Sequence, residues 1–383
     1  MNSQAILGHY QNRLAAIKQA IREVVDIESP SNDAERSKAV VKWIENELRK
    51  IPLELQIEKV AAEGFGEHLI VHAFPSAEKP VLLLGHTDTV HPVGTNCENP
   101  TRIDGNKFYG CGIFDMKANI ILMLEALRYF AESGEKPSRP ITILLSCDEE
   151  VGSYTGRKLV EAEAVKSEFC LVFEPSAAGR IKTGRKGTGM FVVKAHGVPA
   201  HAGLEPEKGA SAILELARQI EKIHLLNNPE IGTTANVCVI KGGTTSNVIP
   251  ENAECSVDVR FSTMEEAARI EAEVKNLTPF DSRVTLQVIG GINRPPMERT
   301  DSVVALYNKA KGLAAGFGYE LGETQVGGAS DGNFVGALGV PVLDGLGISG
   351  DGAHTLYEHI LLDDIANRAT LVTMMQMNDG ATV

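Results

Sequence analysis

The chain has 383 residues, 43% hydrophobic and 23% charged, with 37 basic against 50 acidic groups and a formal net charge of −13. This length permits a large core and more than one domain, and the composition excludes a wholly disordered chain. The acidic balance argues against nucleic acid as a partner, because phosphate backbones would be repelled, but not against an anionic small substrate, since a metal site reverses the local field.

In chain order, Ile6–Ile27 and Ala34–Arg49 read as helices. The opening stretch, Met1 to Gln19, lacks the basic-then-apolar pattern of a secretory signal. No apolar run approaches the roughly 20 residues of a membrane helix. Both features predict a cytoplasmic protein with no membrane partner. Six cysteines (Cys97, Cys111, Cys147, Cys170, Cys238, Cys255) form no C-x-x-C pair and read as free thiols, mostly small core residues.

Pro80–Gly85, Pro140–Cys147 and Phe169–Phe173 are nearly continuous apolar runs, as expected of strands covered on both faces. Lys117–Ser133, with Ile121, Leu124, Leu127 and Phe130 at helical spacing, and Thr155–Ala164 read as helices between them. This alternation is the α/β signature.

The texture changes after about Gly187. Strands at Met190–His196, Asn236–Lys241, Ala253–Phe261 and Val284–Ile289 enclose helices at Ala210–Leu225 and Met264–Leu277, the order of a ferredoxin-like sandwich. Asn293–Pro296 reads as its exit, and helices resume at Ser302–Gly316 and Leu362–Met377. The prediction is one α/β domain, residues 1–187 and 297–383, interrupted by a smaller α+β domain, residues 188–296. The alternative is two consecutive domains with an unrelated C-terminal part.

The informative polar groups follow predicted strands, where an α/β sheet usually presents its site. His86 and Asp88 follow Gly85; Asp115 follows the Gly-rich turn from Gly110; Asp148, Glu149 and Glu150 follow Cys147; Glu174 follows Phe173; His354 follows the run around Leu343. Imidazole nitrogen and carboxylate oxygen both suit zinc. Two ions about 3.5–4 Å apart can share one carboxylate and one water. A further carboxylate, not itself a ligand, must carry the proton, and neighbouring Glu149 and Glu150 can divide these jobs. Singly the signals are weak. Asp115 after a Gly turn is also a plausible helix N-cap, and paired Glu at a helix start also complement its dipole.

His86–Val90 (HTDTV), Gly110–Lys117 (GCGIFDMK), Asp148–Ser153 (DEEVGS) and Phe173–Pro175 (FEP) resemble the co-catalytic zinc exopeptidases: glutamate carboxypeptidase, succinyl-diaminopimelate desuccinylase, acetylornithine deacetylase and aminoacylase. Cys147–Arg157 is most similar to the bacterial glutamate carboxypeptidases. The resemblance implies a zinc-peptidase catalytic domain with a mixed central sheet, the insert being a lid that also makes a homodimer. It implies two zinc ions, which cobalt or manganese can replace. Asp115 would bridge them, His86 and Glu174 would complete one site, and Glu150 and His354 the other. Glu149 would be the general base and Asp88 would hold His86. His354 is preferred to His359 because the family places a Glu four residues after its last histidine, and Glu358 fits.

The same resemblance gives His201, in Pro199–Gly203, an oxyanion role, often across the dimer. It gives Asn247 and Arg260, with looser matches at Arg294 and Lys182, contacts to a substrate carboxylate; each cation also reads as a solvated surface charge. The expected reaction is hydrolysis of an acyl- or peptidyl-amino-acid amide before a C-terminal acidic residue, glutamate preferred. A deacylase of acetyl- or succinyl-amino acids, a dipeptidase, and a catalytically silent relative are the alternatives.

Overall fold

The computed structural model describes residues 3–378; residues 1–2 and 379–383, included in the predicted catalytic segments, lie outside the described residues. Two compact units result. The first comprises the chain through Gly184, Arg299–Val326 and Ser330 onward; the second comprises Arg185–Glu298 with Gly327–Ala329.

The first unit is built on a six-stranded sheet in the order Leu55–Ala62, Gly66–Ala73, Ile141–Ser146, Val81–His86, Phe169–Val172, Val342–Leu343. The first two pairings are antiparallel and the other three parallel, so the sheet is mixed. Val81 to Leu84 are all fully buried, which explains their unbroken apolar run: helices cover both faces. Ser3–Asp26 turns Ile6, Tyr10, Ile17, Ile21 and Val24 inward, one stripe of a 3.6-residue repeat. Asp33 caps Ala34–Arg49 by accepting the Arg36 N–H at 3.1 Å. The four parallel strands end at one edge, so His86 and the residues following Ser146 and Val172 emerge together.

Gly85 is needed where it stands: a Cβ there would lie 2.5 Å from the Met116 Cε. Without one, Met116 packs under the strand end and its sulfur accepts the His86 N–H at 3.4 Å.

Several pieces of sheet escape sequence periodicity. The hairpin Leu55–Ala62/Gly66–Ala73 ends in a half-exposed edge strand with mixed polarity. A small sheet in the order Gly350–Asp351, His359–Leu361, Lys107–Tyr109, Arg102–Asp104 uses strands of two or three residues, too short to show a period. It matters for the site, because pairing His359 with Tyr109 draws the His354 turn to the Gly110–Asp115 turn. The helix expected from Thr155 begins at Arg157 instead, because Asp148 takes the Thr155 and Gly156 amides.

The second unit is a four-stranded antiparallel sheet in the order Thr234–Gly242, Asn252–Phe261, Gly187–His196, Thr285–Arg294. Helices Ala212–His224 and Met264–Lys275 pack on it, capped by Ser211 and Thr263. The chain order is strand, helix, strand, strand, helix, strand, the split βαβ pattern. Phe191, Val193, Val257, Val259 and Phe261 point inward with Leu216, Ile223, Ile270 and Val274. The last strand runs on to Arg294, past the point where Asn293–Pro296 reads as the exit.

All six cysteines are free; Cys111, Cys147, Cys170 and Cys255 are buried, Cys97 and Cys238 exposed. Among the described residues no helix is long and apolar enough to cross a membrane.

Candidate metal centre

At the carboxyl edge of the sheet the predicted ligands converge. His86 closes its strand, and its Nδ1 lies 3.0 Å from the Asp88 backbone carbonyl and 3.4 Å from the Asp88 carboxylate. Both partners accept, so Nδ1 carries the proton and the Nε2 lone pair faces the cluster. The carbonyl, closer than the carboxylate expected to hold this ring, is its principal anchor. His86 Nε2 stands 3.2 Å from Asp115 Oδ1 and 3.5 Å from Glu174 Oε1. His354 Nε2 stands 3.5 Å from Asp115 Oδ2 and 3.1 Å from Glu150 Oε2. Asp115 thus turns one oxygen to each imidazole and lies between two donor groups.

The donor atoms of His86, Asp115 and Glu150 lie within 4.8 Å of one another, as do those of His86, Glu149 and Glu174. Glu149 therefore borders the cluster. His359 does not enter it; its Nδ1 donates to the Tyr357 carbonyl at 2.9 Å from within a strand.

Asp115 is not an N-cap. Its backbone is extended (φ −117°, ψ 91°), and the following helix starts at Ala118.

The electrostatics call for cations. Burial opposes charge on His86, but hydrogen bonds to Asp115, Asp88 and Glu174 outweigh it and raise its pKa well above the usual range. Hydrogen bonds to Asp115 and Glu150 push His354 up to about 10. Burial pushes Asp115 up, yet His354 and His86 pull it well below the ordinary carboxylate range. Burial raises Glu150, helped by the charge of Asp115 and opposed by His354. Glu150 Oε1 is buried without a hydrogen-bond partner, a costly arrangement unless something positive meets it. A proton and a metal ion compete for the same Nε2 lone pairs, so this set of two imidazoles and four carboxylates fits divalent cations.

Further groups hold these side chains, and sequence reasoning found only part of them. The Asp88 carboxylate accepts the amides of Glu149 (3.2 Å) and Glu150 (3.1 Å) and the Ser31 hydroxyl (2.6 Å). Asp148 anchors the far end of that loop through the Thr155 amide and hydroxyl at 2.6 and 2.8 Å. Ser31 and Thr155 carry no recognisable sequence signal; only the fold brings them in.

The remaining predicted residues divide between the units. Lys182, in the first, pairs its backbone with Asp344. Its exposure is 9%, and that of Arg294 in the second unit is 8%, which excludes a solvated surface charge for either. Arg260 is half-buried and grips Asp258 through two hydrogen bonds of 2.9 and 2.8 Å. Register places both Arg260 and Arg294 opposite Thr188, one on each side of the central strand. Directly opposed residues share a sheet face, so the two guanidinium-bearing positions flank one threonine. His201 is exposed, and its Nδ1 accepts the amides of Gly203 (3.2 Å) and Leu204 (3.1 Å), which leaves the proton on Nε2. Asn247 accepts the Thr245 hydroxyl at 3.1 Å and, through its backbone carbonyl, the Ala202 amide at 2.9 Å.

Residues 82–377 match the profile of Peptidase family M20/M25/M40. The chain belongs to this family. Carboxypeptidase G2 of a Pseudomonas species is 29% identical over 375 residues, 96% of this chain and 90% of that protein. A succinyl-diaminopimelate desuccinylase of Delftia acidovorans is 31% identical over 76% of this chain and 79% of that one. The crystal structure of aminopeptidase PepT from Bacillus cereus superposes with a TM-score of 0.77 at 23% identity, covering 96% of this chain and 98% of that one. Like the family, this chain is a metallopeptidase-type hydrolase.

Because Asp88 fixes the His86 imidazole and the loop carrying Glu150, Asp88→Ala is expected to weaken divalent-metal binding by about 10- to 100-fold. Competition with a chromophoric chelator measures this, and wild-type affinity in the variant would contradict it.

Proposed function

We propose that this M20 enzyme is a two-metal exopeptidase that releases a C-terminal acidic amino acid, glutamate preferred, from acyl- or peptidyl-amides. The observation that carries the reading is Asp115, shared between the His86–Glu174 and His354–Glu150 groups at 3.2 and 3.5 Å. His86, Asp115 and Glu174 would hold one ion, and His354, Asp115 and Glu150 the other. Zinc suits the donors, and cobalt or manganese takes the same ones. Bound there, the pair supplies Lewis acidity and lowers the pKa of water.

Glu149 is the general base. It borders the cluster and is buried, its amide is pinned by Asp88, and its neighbour Glu150 takes the ligand role. Its carboxylate receives the proton of the attacking water and returns it to the leaving nitrogen. The acidic amino acid is recognised by the Arg260–Thr188–Arg294 face, where a planar fork suits a carboxylate. Asp258 now fills the Arg260 fork and must release it, or share it, when substrate arrives. Asn247 and Lys182 are further carboxylate contacts, and the second unit serves as the lid.

His201 presents Nε2–H as an oxyanion donor. It sits beyond His196, at the opposite end of a ten-residue strand from Gly187, about 30 Å from where the chain enters this unit. Its proposed service to the site of a second copy in a homodimer rests on the family resemblance of Pro199–Gly203.

A second reading, an N-acyl-amino-acid deacylase, draws on the 31%-identical desuccinylase. The same donor set would serve it, and only the leaving group differs.

Glu149→Gln is expected to lower kcat by about 10²- to 10⁴-fold while both metals remain bound, as read by elemental analysis; near-normal turnover would remove the assignment. Across a panel of N-acyl and peptidyl glutamate, aspartate, alanine, ornithine and succinyl-diaminopimelate, chelator-sensitive release of glutamate should lead. Arg260→Ala should raise KM for that substrate about 10- to 100-fold, the worth of a charged hydrogen bond. Preference for succinyl-diaminopimelate or ornithine, with Arg260→Ala silent, would favour the deacylase. Light scattering should return a dimer; a strict monomer would end the second-copy role of His201.

A further inference from the structure

The glycine-rich turn that carries Asp115 closes around a carboxylate from elsewhere in the chain. Glu358 is fully buried. Its Oε1 accepts the amides of Phe114 (2.8 Å) and Asp115 (2.9 Å), and its Oε2 accepts the amide of Gly112 and the Nε2–H of His91, both at 2.8 Å. Its backbone carbonyl also takes the Gly110 amide at 3.3 Å. The turn is therefore a nest of backbone N–H groups, and the anion in it is internal.

The turn's conformation serves this arrangement. Gly112 has φ +70°, and a Cβ there would lie 2.3 Å from the Thr89 Cγ2. Only glycine combines that φ with that contact, and the outcome is an amide aimed at Glu358. The buried charge also has a counter-ion in its field: Lys117, itself buried, donates to the Ile27 carbonyl and interacts with both Glu358 and Glu28.

A buried carboxylate is costly to desolvate, and here three amides, His91 and the field of Lys117 offset that cost. What the carboxylate achieves is registration between two ligands. Glu358 closes the short turn that begins at Gly352 and presents His354. Its side chain grips the amide of Asp115 itself and that of the preceding residue. The ligand on one turn and the bridging ligand on the other are thereby fixed by one group.

We infer that Glu358 is a positioning residue of the metal centre, setting bridging Asp115 against His354 so that the two share an ion. This rests on the two-metal reading above. Neither oxygen of Glu358 is left over to bind metal, since both already accept two donors.

The test is calorimetric titration of the metal-stripped full chain with cobalt or zinc, the cobalt absorption spectrum, and the melting temperature of the metal-free chain. Glu358→Gln keeps the size and Oε1 but turns an NH2 toward the Gly112 amide and His91. The expected result is one binding step weakened by about 10- to 100-fold with an altered cobalt spectrum, on top of the fall in metal-free melting temperature that the lost acceptor at Gly112 and His91 brings. Two wild-type binding steps and an unchanged spectrum would overturn the assignment. So would a lowered melting temperature with intact metal affinities, the mark of a merely structural staple. If Glu358→Gln does not fold, His91→Ala, which strips one bond from Oε2, decides: weakening of the same step supports the assignment, and an unchanged titration overturns it. A wild-type chain that takes up no divalent cation overturns the two-metal reading itself, which separates that failure from the failure of this one.

Discussion

Everything at the carboxyl edge of the first unit follows from one electrostatic constraint: several carboxylates are buried side by side. Asp115, Glu149, Glu150, Glu174 and Asp88 share a small volume with two imidazoles. Like charges at such separations repel strongly in a poorly polarisable interior. The cluster is tolerable only if cations meet the inner oxygens and donors meet the outer ones. The upward shifts of His86 and His354 and the partnerless Glu150 Oε1 express the first requirement. The amides given to Asp88, Asp148 and Glu358 express the second.

Those amides explain the local backbone. An N–H inside a helix or strand is already committed, so a carboxylate that needs several must find them in irregular turns. Hence Asp115, Glu150, Glu174 and His354 stand on short irregular turns, and the helix expected from Thr155 begins late, at Arg157. His354 adopts φ +66°, a conformation that costs an ordinary side chain of order 1–3 kcal/mol. The Glu358 interactions and the paired strand beside it hold it there. The Gly-rich composition of Gly110–Gly112 is therefore read as a requirement for free amides as much as for tight turning.

This also decides what the sequence can reveal. Apolar runs such as Val81–Leu84 announce strands covered on both faces, and the proposed ligands are picked out by following such runs. His354 is preferred to His359 through the position of Glu358, and what the sequence could not reveal is that Glu358 bonds a turn more than 240 residues earlier in the chain. Ser31 and His91 were invisible because each acts through a single hydrogen bond to a residue distant in the chain, 57 positions away for Ser31 and 267 for His91. The small sheet pairing His359 with Tyr109 was invisible because strands of three residues have no period. The environments of Arg260 and Arg294 needed the register of the second sheet, which shows both beside Thr188, and side-chain detail such as the Asp258 grip on Arg260.

The adjacency of Glu149 and Glu150 carries the deepest consequence. Consecutive residues on a turn diverge, and here one carboxylate meets His354 while the other lies with His86 and Glu174. Their relative placement would be soft if each were held separately. Instead one carboxylate, Asp88, takes both amides and stands 3.4 Å from the His86 ring as well. Glu149, Glu150 and the orientation of His86, the proposed base and two proposed ligands, thus share a single anchor. A shift of that anchor moves all three together, which preserves their mutual geometry better than three independent supports would. On the proposed two-metal reading, precision at the centre is then a property of the carboxylates behind it, Asp88 on one side and Glu358 on the other.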